Sequence, residues 1–251
     1  MLSLGLLAVL APSHDHSSCS CHAFLPELAY HQEASTSTWR DWPPSAPIAP
    51  ASGETHLTSL RQMTFGGQNA EAYWSADGKK IVYQSRQPEY PDEQIFVMNA
   101  DGSGKHMVST GLGRCTCSYF SPDGKWLYFS STHAKDKGPQ KHVDMSKGYV
   151  WMVNPAFSMY RVSTKAGHAK PELILDRGGY VAETTIAPNG RYMTFTGNFE
   201  GDPDIYRADL KAKKITKLTN EVGYDGGPFV SWDSKKIVYR RDAIEDNQEL
   251  Q

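Results

Sequence analysis

Four stretches of this chain stack on one another: 70–83, 116–129, 182–195 and 226–239. Each runs from alternating small, polar and apolar residues into a turn signal and then into a second apolar or aromatic run. The turn signals are Ser75-Ala76-Asp77-Gly78, Ser121-Pro122-Asp123-Gly124, Ala187-Pro188-Asn189-Gly190 and Ser231-Trp232-Asp233-Ser234. Asp-Gly and Asn-Gly supply the positive φ of a tight hairpin turn, so each copy is predicted to be two antiparallel strands. The turn positions 78, 124, 190 and 234 lie 46, 66 and 44 residues apart. A period near 45 is that of a four-stranded propeller blade. The long interval reflects an insertion of roughly twenty residues after Ser131.

A third strand is predicted after each pair, at Gln94–Met98, Met159–Val162 and Asp204–Arg207. A fourth follows at Lys105–Val108, Leu173–Leu175 and Ile215–Thr219. One such sheet cannot bury both of its faces alone, whereas sheets stacked radially cover one another. The expected fold is therefore all-β: a β-propeller of four-stranded antiparallel blades. It comprises about three complete blades, a partial fourth and a stray outer strand at Leu60–Thr64.

Ser121-Pro122-Asp123-Gly124-Lys125 with the aromatic strand after it resembles the WD40-like repeat of TolB-type six-bladed propellers. Asp204-Ile205-Tyr206, Leu218-Thr219 and Tyr224-Asp225-Gly226-Gly227-Pro228-Phe229 are similar to that group as well. The resemblance spans residues 58–241 and is specific for the repeat rather than for one function. The amino-terminal α/β domain of TolB itself has no counterpart here. The resemblance implies a non-catalytic periplasmic or extracellular binding or scaffold module. Its protein, peptide or small ligands would sit at the mouth of the central channel. The other reading is the propeller portion of a larger prolyl-oligopeptidase-like hydrolase. A polysaccharide lyase is a weaker third, since His133 and His142 share one loop and His168 lies in a turn. In TolB-like rings an amino-terminal strand completes the last blade, which is the place expected for Leu60–Thr64. Six blades need roughly 270 residues, and 58–241 supplies about 184. The expectation is a fragment, or a ring completed by self-association with a second chain.

Residues 1–57 read as a signal-like apolar segment followed by a disordered Ser/Pro-rich linker, and residues 242–251 as a tail. Leu2–Ala11 has the length of a signal-peptide core and is too short to span a bilayer. No Lys or Arg precedes Arg40, so the positive leader region is missing. Export to the periplasm or the extracellular space is the expectation, with no transmembrane segment. With 26 basic and 28 acidic residues, no charge excess favours a nucleic-acid partner or a polybasic membrane face. Cys19 and Cys21, like Cys115 and Cys117, are too closely spaced for a zinc knuckle. Cys115 and Cys117 read as free buried thiols, with a link to Cys19 or Cys21 as the alternative.

No Gly-x-Ser-x-Gly elbow and no phosphate-cradling loop occurs, so no residue is assigned a catalytic role. The binding candidates come from columns of the repeat. Asn69, Cys115, Val181 and Asp225 form one column; Glu71, Cys117, Glu183 and Gly227 form another. Period-two alternation places both on one face at the start of the inner strand. Tyr180 and Tyr224 sit one residue before the first column, beside Arg114 and Gln68 of the other copies. Asn69, Glu71, Arg114, Cys117, Tyr180, Glu183, Tyr224 and Asp225 are thus the expected channel-mouth residues. A ring of carboxylates, amides and tyrosines suits a cation such as Ca²⁺ or the polar end of a peptide. It equally suits hydrogen bonding to loops and a wet channel wall. No resident metal or other cofactor is expected. His133, His142, Asp144, Tyr149 and Trp151 of the insertion, and the oxygen-rich run Asn198–Asp204, read as loop chemistry before metal ligation.

Overall fold

The computed structural model describes residues 38–141, 143–144, 151–165 and 170–242. The apolar segment at 2–11, Cys19, Cys21, His142, Tyr149, His168 and the tail beyond Asp242 lie outside the described residues.

Among the described residues sixteen strands form three four-stranded antiparallel sheets and two two-stranded ones. A pair formed by β1 (Ala46–Pro47) and β2 (Arg61–Gln62) comes first. Blade 1 is β3 (Gln68–Trp74), β4 (Lys80–Arg86), β5 (Gln94–Asn99) and β6 (His106–Met107). Blade 2 is β7 (Cys115–Phe120), β8 (Trp126–Ser131), β9 (Ser158–Ser163) and β10 (Glu172–Leu175). Blade 3 is β11 (Val181–Ile186), β12 (Tyr192–Gly197), β13 (Asp204–Asp209) and β14 (Ile215–Lys217). β15 (Asp225–Val230) and β16 (Ile237–Arg241) are the two strands of blade 4. Each blade meanders from its first strand outward, and the first strands β3, β7, β11 and β15 adjoin one another in series. This is the propeller arrangement expected from the repeat.

The blades are held by the apolar layers between them. Val82, Ile95 and Val97 of blade 1 pack on Phe120, Leu127, Phe129 and Val162 of blade 2. Tyr128 and Met159 of blade 2 meet Val181, Ile186, Met193 and Phe195 of blade 3. Ala187 and Tyr192 of blade 3 meet Val230 of blade 4. Phe96, Phe129 and Phe195 are completely buried, and each such ring contributes about 1.5–3 kcal/mol by leaving water.

The turn between the first two strands is wider than Asp-Gly alone suggested. Four residues bridge the strands: Ser75 donates its N–H to the Lys80 carbonyl at 2.9 Å, and Gly78 donates to the Ser75 carbonyl at 2.9 Å. Only Gly78 takes a positive φ, 68°, as in a hairpin built around a type I turn rather than a two-residue I′ turn. The leading serine completes the device. Ser75 Oγ donates to Asp77 Oδ1 at 2.7 Å and accepts the Lys80 N–H at 2.9 Å. Ser121 with Asp123 and Ser231 with Asp233 repeat it. These serine hydroxyls hold the Asp77, Asp123 and Asp233 carboxyls below the usual carboxylate range.

Two features of the amino-terminal region differ from the expectation. Part of the predicted disordered linker, residues 38–47, has a packed place in the structure. A turn of 3-10 helix at Trp39–Asp41 places Trp39 and Trp42, both buried, against Ile81, Tyr83, Phe96 and Met98 of blade 1. The Trp39 and Phe96 rings meet edge-on at 5.1 Å. Lys105 Nζ fastens the same segment through the Pro43 and Pro44 carbonyls, both at 3.0 Å. Among the described residues the Leu60–Thr64 phrase joins no blade. Arg61–Gln62 pairs with Ala46–Pro47, and Met63 and Phe65 join the tryptophan layer. Blade 1 has an apolar face turned away from blade 2, and these aromatic residues cover it. A Ser/Pro-rich composition hides such a segment because a handful of large side chains is enough to anchor it.

Trp39→Ala is therefore expected to cost about 3 kcal/mol, as for other buried Trp truncations. Urea titration would show a clear fall in midpoint; a tether without packing would show none.

Candidate functional site

A cavity of about 200 Å³ opens where the four inner strands converge. Its shape follows from a defect repeated in every blade. The pairing of each inner strand with its neighbour skips between Ala70 and Tyr73, Thr116 and Tyr119, Ala182 and Thr185, and Gly226 and Phe229. Within each skip sits a residue with left-handed backbone: Glu71 (φ 52°), Cys117 (50°), Glu183 (57°) and Gly227 (60°). These are β-bulges, in which two residues on one strand face one on the other.

The bulge inverts the side-chain alternation. Tyr73, Tyr119, Thr185 and Phe229 therefore share a face with Ala70, Thr116, Ala182 and Gly226 rather than with the 69, 115, 181 and 225 column. The expectation that both predicted columns share one face is corrected on this ground. Glu71, Cys117, Glu183 and Tyr224 line the cavity together with Tyr73, Tyr119, Phe229, Gly227 and Arg240. Asn69, Arg114, Tyr180 and Asp225 are not among its lining residues. Asn69 bonds within its own blade, donating to the Gly66 carbonyl at 2.9 Å and accepting from Ser85 Oγ at 2.7 Å. Arg114 forms a two-pronged pair with Glu93 at 2.7 and 2.9 Å and lies over the Trp151 ring at 4.4 Å. Tyr180 is buried and accepts from Trp151 Nε1 at 3.1 Å. Asp225 is buried at the start of β15.

The bulges also link the blades. Gln84 of blade 1 accepts the Cys117 N–H at 3.1 Å and the Thr116 hydroxyl at 2.9 Å. Glu183 Oε2 takes the Gly227 N–H at 2.9 Å. Glu183 further accepts the Tyr224 hydroxyl at 2.5 and 2.6 Å and the Thr196 hydroxyl at 2.6 Å. Its carboxylate thus clamps blade 3 to blade 4. Tyr224 reaches it by doubling back over Gly226, where a Cβ would lie 2.0 Å from the tyrosine hydroxyl. Glu71 differs: it is exposed and takes one hydrogen bond, from Tyr73 at 2.7 Å.

Three aromatic rings that the sequence columns missed form the floor. Tyr73 and Tyr119 meet at 5.6 Å, Tyr119 and Phe229 at 5.4 Å, and Tyr73 and Phe229 at 6.0 Å. The column was visible, two positions beyond the one chosen, but its significance depends on the bulge. Burial, and then the Glu71 and Glu183 carboxylates, push the Cys117 thiol up. Burial pushes the Cys115 thiol up to about 12, against the opposing effect of the Ser131 hydroxyl. Both are free thiols.

His133 of the insertion and the oxygen-rich run take structural places. His133 accepts or donates at Ser131 Oγ, 2.8 Å away, and packs on the Tyr160 ring at 4.4 Å. Asp204 pairs with Lys217 at 2.7 Å, and Glu200 approaches the same ammonium at 3.3 Å. Among the described residues no three His, Cys, Asp or Glu side chains converge as metal ligands. Among them too, no helix is long and apolar enough to cross a membrane.

Glu183→Ala is expected to cost about 3 kcal/mol, because three hydrogen-bond donors lose a charged partner. Glu71→Gln should stay within about 0.5 kcal/mol; equal losses for the two in urea titration would refute the division of roles. The Tyr224 hydroxyl is raised well above its usual pKa by burial and then by Glu183. The folded state therefore keeps a proton that the unfolded chain releases near pH 10. Stability from this group is complete below about pH 10 and lost as pH rises beyond it. The alkaline fall should be shallower in Tyr224→Phe, read as melting temperature against pH.

No protein-family model matches the chain. A TolB homologue from Chlorobium chlorochromatii is 35% identical over 165 residues, covering 66% of this chain and 32% of the relative. An uncharacterized protein from Agrobacterium fabrum is 36% identical over 59 residues, 24% of this chain and 20% of that protein. The chain thus spans no more than about a third of the curated relatives it matches. TolB from Acinetobacter baumannii superposes with a TM-score of 0.54 at 22% identity, over 81% of this chain and 44% of that one. In repeat and in fold, this chain is a TolB-like β-propeller.

Proposed function

We propose that this chain is a non-catalytic binding module of an exported TolB-like propeller, and that it seats a segment of a protein or peptide partner in the cavity between the inner strands. The observation that carries this reading is the division of labour among the cavity residues. Glu183, Tyr224 and Gly227 are consumed in joining blades 3 and 4. Glu71, Tyr73, Tyr119 and Phe229 present polar and aromatic surface to open space. Concave sites with an apolar floor and a few fixed polar groups are where ligands bind.

The chemistry of the lining supports binding over turnover. Burial keeps the Cys117 thiol protonated, and among the described residues no histidine lines the cavity to activate it or the Ser118 and Thr184 hydroxyls. Curated similarity to a TolB homologue favours the same reading. Periplasmic or extracellular residence belongs to it.

The test is selection of binding peptides from a displayed random library, followed by affinity measurement against Glu71→Trp, which lays an indole across the mouth. Peptides bound by the unmodified protein should lose at least about tenfold, 1.4 kcal/mol. Peptides indifferent to the indole would place the binding surface elsewhere.

A further inference from the structure

We infer that the cavity recognises a primary ammonium on an alkyl stem, presented as a lysine side chain or as the free amino terminus of a peptide. This rests on the cavity being the ligand site and names the chemistry it takes.

Four observations converge. First, the mouth carries a carboxylate whose capacity is mostly unspent. Glu71 accepts one hydrogen bond, from Tyr73, and an ionised carboxylate has about four acceptor positions. Second, that carboxylate is the open one of the pair: Glu71 is exposed at the mouth, whereas Glu183 is taken up by the Tyr224, Thr196 and Gly227 donors. An ammonium has three donors and no acceptor, matching the open acceptor positions of Glu71; a carboxylate or phosphate ligand would meet Glu71 and Glu183 with like charge.

Third, the floor is aromatic. Tyr73, Tyr119 and Phe229 lie within 5.4–6.0 Å of one another, and such faces attract a cation and receive its methylene stem. Fourth, the charge balance is negative. The cationic side chain among the lining residues is Arg240, which sits over the Tyr224 ring at 4.6 Å and 3.7 Å from Asp242. Against this one cation the lining holds two carboxylates, Glu71 and Glu183. A volume of about 200 Å³ admits one side chain or chain end, not a folded surface.

The experiment uses the full chain, ¹⁵N-labelled, and short peptides followed by amide chemical shifts. The central probe is Gly-Gly-Lys-Gly-Gly, acetylated and amidated at its ends. The same blocked peptide with norleucine or glutamate replaces the ammonium, and a norleucine peptide with a free amino terminus supplies it at the other position. Saturable shifts of the Cys117, Ser118 and Gly227 amides are expected with the lysine peptide or the free-amine peptide, and which of them acts identifies the source. The blocked norleucine and glutamate peptides should bind at least tenfold more weakly. Glu71→Gln keeps an acceptor for Tyr73 and should weaken the ammonium peptides about tenfold with the spectrum otherwise unchanged. Equal shifts from the blocked norleucine or glutamate peptide, or unchanged affinity in Glu71→Gln, would overturn the ammonium assignment and leave the cavity as a binding site. Silence from every peptide at those amides would overturn the assignment together with the site.

Discussion

A four-stranded sheet with apolar residues on both faces has no stable existence in water by itself, and everything else in this protein follows from that. Val82, Phe129 and Phe195 are completely buried because the next blade lies over them. The same demand explains the two ends of the array. Blade 1 has a face with no blade against it, and there Trp39, Trp42, Met63 and Phe65 take a blade's place. Blade 4 is a two-stranded sheet among the described residues, and its Val238 and Tyr239 remain exposed. Covering one face took two tryptophans and a three-residue helical turn, far less chain than a blade, because large flat side chains remove much apolar area per residue ordered.

Radial packing brings the inner strands together faster than it widens the space between them, so their backbones must bend where they converge. The bulge at Glu71, Cys117, Glu183 and Gly227 does this in every blade. Three of the four are not glycine, and a left-handed backbone costs an ordinary residue roughly 1–2 kcal/mol. Strain of that size persists where neighbouring contacts fix it. Two are visible: Gln84 holds the Cys117 N–H, and Glu183 holds that of Gly227. The Cys117 and Gly227 bulges are thus each tied to a side chain of the preceding blade, while Glu71 is met by Tyr73 of its own blade.

The blades were legible in the sequence because their signals are local. Ser121-Pro122-Asp123-Gly124 announces a turn wherever it occurs, and strands such as Ile95–Met98 alternate or run apolar within a few residues. Third and fourth strands fell where expected, and Asp204–Asp209 differs from its predicted Asp204–Arg207 only in length. The features that escaped are tertiary. Nothing near Trp39 or Trp42 distinguishes a docked segment from a Pro-rich linker, because the partners Tyr83 and Phe96 lie some forty to sixty residues away. The bulge escaped because glutamate and cysteine carry no local preference for positive φ. Without it, parity assigned Asn69 and Asp225 to the channel, and the Tyr73, Tyr119 and Phe229 column two positions further on was not taken up. Four of the eight chosen residues line the cavity: Glu71, Cys117 and Glu183 as bulge residues, and Tyr224 by doubling back over Gly226.

Glu71 and Glu183 occupy the same place in their blades, and comparison of the two says more than either does alone. Glu183 is held by Tyr224, Thr196 and Gly227, all from blades 3 and 4. Glu71 precedes no such partners: the equivalent of Tyr224 in blade 2 is Arg114, which turns away to Glu93 and Trp151. One repeat position has therefore diverged into a clamp and an open carboxylate through the identity of a residue in the following blade. A repeat protein can gain a binding group in this way without new backbone, since the strain and the cavity are already set by the fold. The residue that decides between the two roles lies some forty positions downstream of the glutamate, so the difference is not written near the glutamate itself.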